Sequence, residues 1–216
     1  MRGIEHIPWL YDTGMTVFDA LGLSRWRACV TSGLQGRVLE IGCGTGRTLP
    51  YYAGDASIVG IDPDRGALRR AARRHRGALL VTGRAERLPF PDGHFDAVVT
   101  SLCFCSVDDV VAGLAEIRRV LGDHGQLRML EHVRARHPAW AKIQDVLHPG
   151  WQAVSGGCRL NRDTESAVRA AGFVIDEQTR LARGIMRCFR AHKEQSEAGR
   201  PPISRARTGD ALDPVM

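Results

Sequence analysis

The chain predicts an α/β fold: a doubly wound sheet of about seven strands, mostly parallel, with an antiparallel C-terminal hairpin strand. Three observations carry this. Short apolar or β-branched runs alternate with helical patterns from residue 37 to residue 171, as in a parallel sheet covered on both faces. The first run, Val38-Leu39-Glu40-Ile41, opens directly into Gly42-Cys43-Gly44-Thr45-Gly46. The last two runs follow one another with no helix between them, so they pair as a hairpin. At 216 residues, 44% hydrophobic and 25% charged, the chain suits one domain with a sizeable core.

The first 35 residues hold a helix with Tyr11, Met15, Phe18, Leu21 and Trp26 on roughly one side. It is expected to cap an active site, with a membrane surface as the alternative. Strands are expected at 37–41, 57–62, 78–82 and 95–103, each near glycine, proline or aspartate punctuation. Helices are expected at 45–53, 64–76 and 107–121. In the last, Val107, Val110, Val111, Leu114, Ile117, Val120 and Leu121 recur at spacings of three and four. Gly122-Asp123-His124-Gly125 reads as a turn before a fifth strand at 126–133. Helices at 138–147 and 162–171 precede the hairpin, 173–180 with 184–191. Residues 191–216 lack periodicity and large apolar groups and read as a disordered tail.

The net charge is +6. The tail balances Lys193, Arg200, Arg205 and Arg207 against Glu194, Glu197, Asp210 and Asp213, so the excess belongs to the folded part. Its densest cluster, Arg69, Arg70, Arg73 and Arg74, is expected on the outer face of a helix. No aromatics interleave with it, so no nucleic-acid partner is expected. No apolar run approaches the roughly 18 residues that span a bilayer, and charge and proline interrupt the N-terminus. A cytoplasmic protein is expected, with peripheral membrane contact left open. Cys29, Cys43, Cys103, Cys105, Cys158 and Cys188 form no C-x-x-C pair, so neither a metal site nor disulfides are expected. Cys103 and Cys105 are expected to pack on one face of an apolar strand end.

In an open parallel sheet the ligand lies beyond the carboxyl ends of the strands, where strand order reverses. Gly42 to Gly46 follow the first strand there, and glycine permits close backbone approach. A dinucleotide fingerprint requires G-x-G-x-x-G; here the spacing is G-x-G-x-G, and position 47 is Arg47. Glu40, a carboxylate within the strand, disfavours a pyrophosphate and suits a ligand bearing positive charge. S-adenosylmethionine has a sulfonium, an ammonium and no phosphate.

Val38 to Gly46 resembles motif I of the class I methyltransferases, whose fold is Rossmann-like. Val59-Gly60-Ile61-Asp62-Pro63-Asp64 and Gly83 to Val99 are similar to that family's next two motifs, in order and spacing. The resemblance implies S-adenosylmethionine as cofactor and a catalytic domain over 36–190. It implies cofactor contacts from Glu40, Gly42, Cys43, Gly44, Gly46, Asp62, Pro63, Ala85, Glu86 and Ser101, with Asp62 on the ribose hydroxyls. Arg84 departs from the pattern, standing where an aspartate usually meets the adenine amino group. Adenine recognition is then expected from backbone near Ala85 and apolar walls.

The acceptor is less constrained. Thr100 to Val107 lacks the proline-rich motif of the enzymes that methylate nucleic-acid amines. Residues 129–172, with Glu131-His132-Val133, Trp140, Pro149, Trp151 and Gly157-Cys158, are similar to the membrane-associated alkyl-thiol S-methyltransferases. That likeness, motif-deep over about residues 38–172, implies a small lipophilic acceptor, first a thiol. A phospholipid amine or a quinone or phenol ring is the alternative, and a non-catalytic cofactor-binding module is a different class. His132 and Glu131 are expected to face the acceptor as catalytic residues. His132 would take the proton of a thiol, whose pKa of about 8.5 leaves little thiolate at neutral pH.

Overall fold

The computed structural model describes residues 8–135, 137–155, 157–159 and 161–194. A seven-stranded sheet forms in the order β3-β2-β1-β4-β5-β7-β6. Its strands are β1 (Gly36–Ile41), β2 (Ala56–Asp62), β3 (Leu79–Thr82), β4 (Phe95–Ser101), β5 (Leu121–His132), β6 (Phe173–Arg183) and β7 (Met186–Lys193). The first five are parallel, and β7 runs antiparallel between β5 and β6. The helices are α1 (Pro8–Phe18), α2 (Ser24–Thr31), α3 (Arg65–Arg74), α4 (Val110–Val120), α5 (Pro138–Ser155) and α6 (Thr164–Ala170).

Burial on both faces explains the near-continuous apolar strands. Leu39, Ile41, Val98, Leu127 and Met129 pack with Leu114 and Ile117 of α4 and Val168 of α6. The alternate residues Val38, Ala97, Val99 and Leu130 face the other way, against Val30, Leu34 and Leu49. Strand order reverses between β1 and β4, which puts the Gly42–Gly46 loop at the switch point.

Several boundaries differ from the sequence expectation. The helix expected at 45–53 is only a single 3₁₀ turn, Leu49–Tyr51. Gly44 and Gly46 have φ of +51° and +76°, which no α-helix admits, and Pro50 lies inside the turn. β4 stops at Ser101 because Leu102 takes φ of +55°. Cys103 and Cys105 therefore leave the strand and do not share a face: Cys103 lies against Gly42 and Cys105 turns toward Cys158. Residues 122–125 are an excursion inside β5, since pairing with β4 jumps from Leu121 opposite Phe95 to Gln126 opposite Ala97. α5 continues past residue 147, through Pro149. β7 extends to Lys193, so residues 191–193 are strand, not tail; the rest of the expected tail, residues 195–216, lies outside the described residues.

The N-terminal segment also differs. Gly22, at φ of +116°, kinks it between α1 and α2. Only part of its apolar stripe docks: Trp26 packs on the core beside Val30 and Leu34, while Phe18 and Leu21 are exposed. Asp12 accepts from Thr45 Oγ1 at 2.7 Å and pairs with Arg47, Arg70 and Arg74. Asp19 pairs with Arg27 and Arg47. Arg70 and Arg74 of the basic cluster thus hold α1 against α3, while Arg69 and Arg73 stay exposed.

A Cβ at Gly46 would lie 2.8 Å from the Cα of Ala71 on α3, whereas one at Gly44 would meet nothing within 4 Å. Gly46→Ala should cost about 2–4 kcal/mol, combining left-handed strain with overpacking. Gly44→Ala should cost only the strain, about 1–2 kcal/mol. Urea denaturation of the two variants should rank them in that order; equal losses would contradict the packing described.

Candidate active site

The loop after β1 is built by the backbone of β2. Gly42 and Cys43 N–H both donate to the Ile61 carbonyl, at 2.8 and 3.2 Å. The Asp62 carboxylate accepts from Gly44 N–H and from Asp64 N–H, both at 2.9 Å. Asp64 caps α3 through Gly66 and Ala67 N–H, which frees Asp62 from that task. Burial raises the Asp62 pKa and those two backbone donors oppose it. Each Asp62 oxygen keeps a second lone pair for a ligand hydroxyl.

Glu40 is sealed at the end of β1, and its Oε2 has no hydrogen-bond partner. Burial raises its pKa to about 7, against the pull of neighbouring Tyr52, Arg27 and Thr48. Arg27 is itself buried and donates to Thr48 Oγ1 at 2.9 Å and Ser101 Oγ at 3.2 Å. Ser101 is therefore tied through Arg27 to Thr48, two residues past the glycine loop. Arg27, Asp12 and Asp19 escaped the sequence reading, because isolated charges in an N-terminal helix give no motif.

Of the remaining cofactor candidates, Pro63 is exposed beside Asp62. Ala85 is buried, and Gly113 and Phe104 pack nearby. Arg84 points outward, bonded to Asp108 at 2.7 Å and Glu86 at 3.5 Å, so Glu86 is the acid of that loop. Arg119 of α4 holds the segment that follows, donating to the Leu88 and Phe90 carbonyls at 3.0 and 2.7 Å. Cys43 is buried within the glycine loop itself.

Glu131 does not face an open acceptor space as expected. It is fully buried, and its Oε1 accepts from Thr100 Oγ1, Cys103 N–H and Phe104 N–H at 3.0, 3.1 and 3.0 Å. It fixes the turn that carries Cys103 up against Gly42. A Cβ on Gly42 would lie 2.2 Å from the Cys103 sulfur, so these two loops touch.

His132, the next residue, is half-buried, with Nε2 2.9 Å from the Cys158 sulfur. Burial pulls the His132 pKa down, but Cys158 and Glu131 outweigh it and the net shift is upward. Contact with Cys105 and His132 lowers the Cys158 thiol despite its burial, and Cys105 is raised in return. Cys105, His132 and Cys158 thus meet at the carboxyl end of β4 and β5. No spacing in the sequence signals this, because the three come from separate segments. Trp140 and Trp151, expected to wall a pocket or sit in the core, are exposed on α5.

Comparisons with known proteins agree with this fold. Residues 39–129 match a family described as a methyltransferase domain. The chain is 32% identical to human thiol S-methyltransferase TMT1B over 66% of its own length and 62% of that protein. It spans only about three fifths of the human thiol S-methyltransferases. It is also 32% identical to a demethylmenaquinone methyltransferase of Beutenbergia cavernae, over 88% of this chain and 90% of that one. A solved Thermotoga maritima S-adenosylmethionine-dependent methyltransferase, described as a possible histamine N-methyltransferase, shares the fold. Its TM-score is 0.69 at 24% identity, covering 88% of this chain and 98% of that one. The chain belongs to the class I S-adenosylmethionine-dependent methyltransferases.

Proposed function

We propose that this methyltransferase acts on the sulfur of a small lipophilic thiol. The observation that carries the acceptor is the 2.9 Å contact between His132 and a sulfur, that of Cys158, at the carboxyl end of β5. A sulfur fits there at hydrogen-bond distance from an imidazole. The likeness to human thiol S-methyltransferase TMT1B over 66% of the chain supports the same choice.

Methyl transfer from a sulfonium is an in-line displacement. The acceptor sulfur forms a bond to the methyl carbon, the carbon–sulfonium bond breaks, and its electron pair stays on the departing sulfur of S-adenosylhomocysteine. The protein must align the two sulfurs and ionise the acceptor. In this reading Asp62 receives the ribose hydroxyls beside Pro63, and Gly42, Cys43, Gly44 and Gly46 let the cofactor approach the backbone. Ala85 and Glu86 border the adenine, and Ser101 acts through Arg27. Glu40 faces the positive end of the cofactor. His132 is the catalytic residue that favours the ionised thiol, and Glu131 is a positioning residue that holds the 102–106 turn.

The α1–α2 unit, locked over the glycine loop by Asp12 and Asp19, serves as the cap. Trp140, Ile143, Val146, Leu147 and Trp151 leave one side of α5 apolar and exposed, which suits delivery of a lipophilic acceptor from a membrane surface. No described helix is long and apolar enough to cross a membrane. A quinone or phenol ring is the second reading, favoured by the near full-length match to a demethylmenaquinone methyltransferase.

An acceptor panel separates these. Alkyl thiols should yield S-adenosylhomocysteine in preference to phenols, quinols and phosphatidylethanolamine; turnover confined to a quinol would overturn the thiol assignment. His132→Ala should lower kcat/KM for the thiol about 100-fold or more with cofactor affinity unchanged. Asp62→Ala should weaken cofactor binding by calorimetry about tenfold to 100-fold, as expected for losing hydrogen bonds to a charged group. Unchanged binding would remove Asp62 from the site.

A further inference from the structure

Cys105, His132 and Cys158 are the group of side chains that cofactor binding leaves unused. Their sulfur, Nε2 and sulfur atoms all lie within 4.8 Å of one another. Their segments are tied together without them. Arg159 N–H donates to the Cys105 carbonyl at 2.9 Å, and Arg134 N–H to the Arg162 carbonyl at 3.1 Å. The Arg162 guanidinium spans the Phe104 and Val107 carbonyls. The three donor atoms are therefore gathered by the fold itself.

We propose that Cys105, His132 and Cys158 form a zinc site whose fourth position takes the thiolate of the acceptor. Two sulfurs and one imidazole are a donor set suited to zinc, and three protein ligands leave one tetrahedral position open. Zn–S of about 2.3 Å and Zn–N of about 2.0–2.1 Å would set sulfur and nitrogen roughly 3.5 Å apart. The His132–Cys158 separation must then widen by roughly half an ångström, a side-chain adjustment. The fourth-ligand assignment rests on the thiol reading above; the metal site does not. In this site His132 favours the ionised thiol through the metal rather than as a base, and the acceptor thiol loses its proton to solvent as its sulfur meets the metal. That sulfur then bonds to the methyl carbon while the carbon–sulfonium bond breaks onto the cofactor sulfur. The neutral thioether, a weaker ligand than the thiolate, departs.

Reduced, chelator-stripped protein titrated with Co²⁺ alone tests the site. One equivalent should bind with thiolate-to-cobalt charge-transfer absorption, and Zn²⁺ should displace it. Cys105→Ser and Cys158→Ser should each weaken binding at least about tenfold. Cys29→Ser, in the separate Cys29–Cys188 pair with sulfurs 3.9 Å apart, should leave it intact. Thermal melting and cofactor binding identify any variant that fails to fold; for such a position an alanine replacement carries the test. Absent cobalt–thiolate absorption, or absorption retained without both cysteines, overturns the site. Formation of a Cys105–Cys158 disulfide in place of metal binding also overturns it. Hexanethiol should change the cobalt spectrum, and an indifferent spectrum overturns the fourth-ligand role. Undiminished thiol methylation by metal-free enzyme would overturn the zinc role and leave the proposed function standing. Metal binding without thiol turnover would do the reverse.

Discussion

Three carboxylates placed at the carboxyl ends of parallel strands dominate this structure. Glu40 on β1, Asp62 on β2 and Glu131 on β5 sit where side chains face either the core or a ligand. A carboxylate removed from water costs several kcal/mol unless hydrogen bonds or opposite charge replace its hydration. Asp62 is met by two backbone N–H groups and Glu131 by two more and a hydroxyl. Each of those acids shapes a loop in return. Glu40 is surrounded by side chains instead, Tyr52, Thr48 and Arg27; like Glu131 it keeps one unpartnered oxygen, and burial pushes it up to about 7. In the proposed function Glu40 is the acid that faces the cationic end of the cofactor.

The other functional features follow from where those loops are held. Asp62 shapes the glycine loop, the proposed cofactor site, and Glu131 shapes the turn that carries Cys103 and Cys105. The Cys103 turn touches Gly42, so the loops after β1 and β4 are in direct contact. The N-terminal helices add a second layer through Asp12 and Asp19, whose partners lie on the glycine loop, on α2 and on α3. Charge joins α1 to that layer, while α2 also packs Trp26 and Val30 on the core; Phe18 and Leu21 face outward.

Much of the sheet was legible in the sequence because parallel strands are buried on both faces and read as continuous apolar runs. Glu40, the three glycines and Asp62 were legible because they are contiguous or lie at a strand end. Other features were hidden for physical reasons. The positive φ of Leu102 ends β4 early, and no residue preference announces a left-handed leucine. The helix after Gly46 is reduced by backbone conformation that glycine permits but does not impose. Glu131 was read as facing the acceptor because position along a strand does not reveal which backbone donors a side chain will find. Cys105, His132 and Cys158 lie 26 or more residues apart and converge only through the turn after β4 and the loop after α5.

The most direct measurement is a carbon-13 NMR titration of the Glu40 carboxyl group, with and without S-adenosylmethionine. The free enzyme should titrate at about 7. A cation within a few ångströms favours the ionised form, so the bound value should fall by about one unit or more. Binding then expels a proton, and cofactor affinity strengthens as pH rises through about 7. A Glu40 pKa unchanged or raised by the cofactor, or undiminished cofactor affinity in Glu40→Gln, would contradict the account.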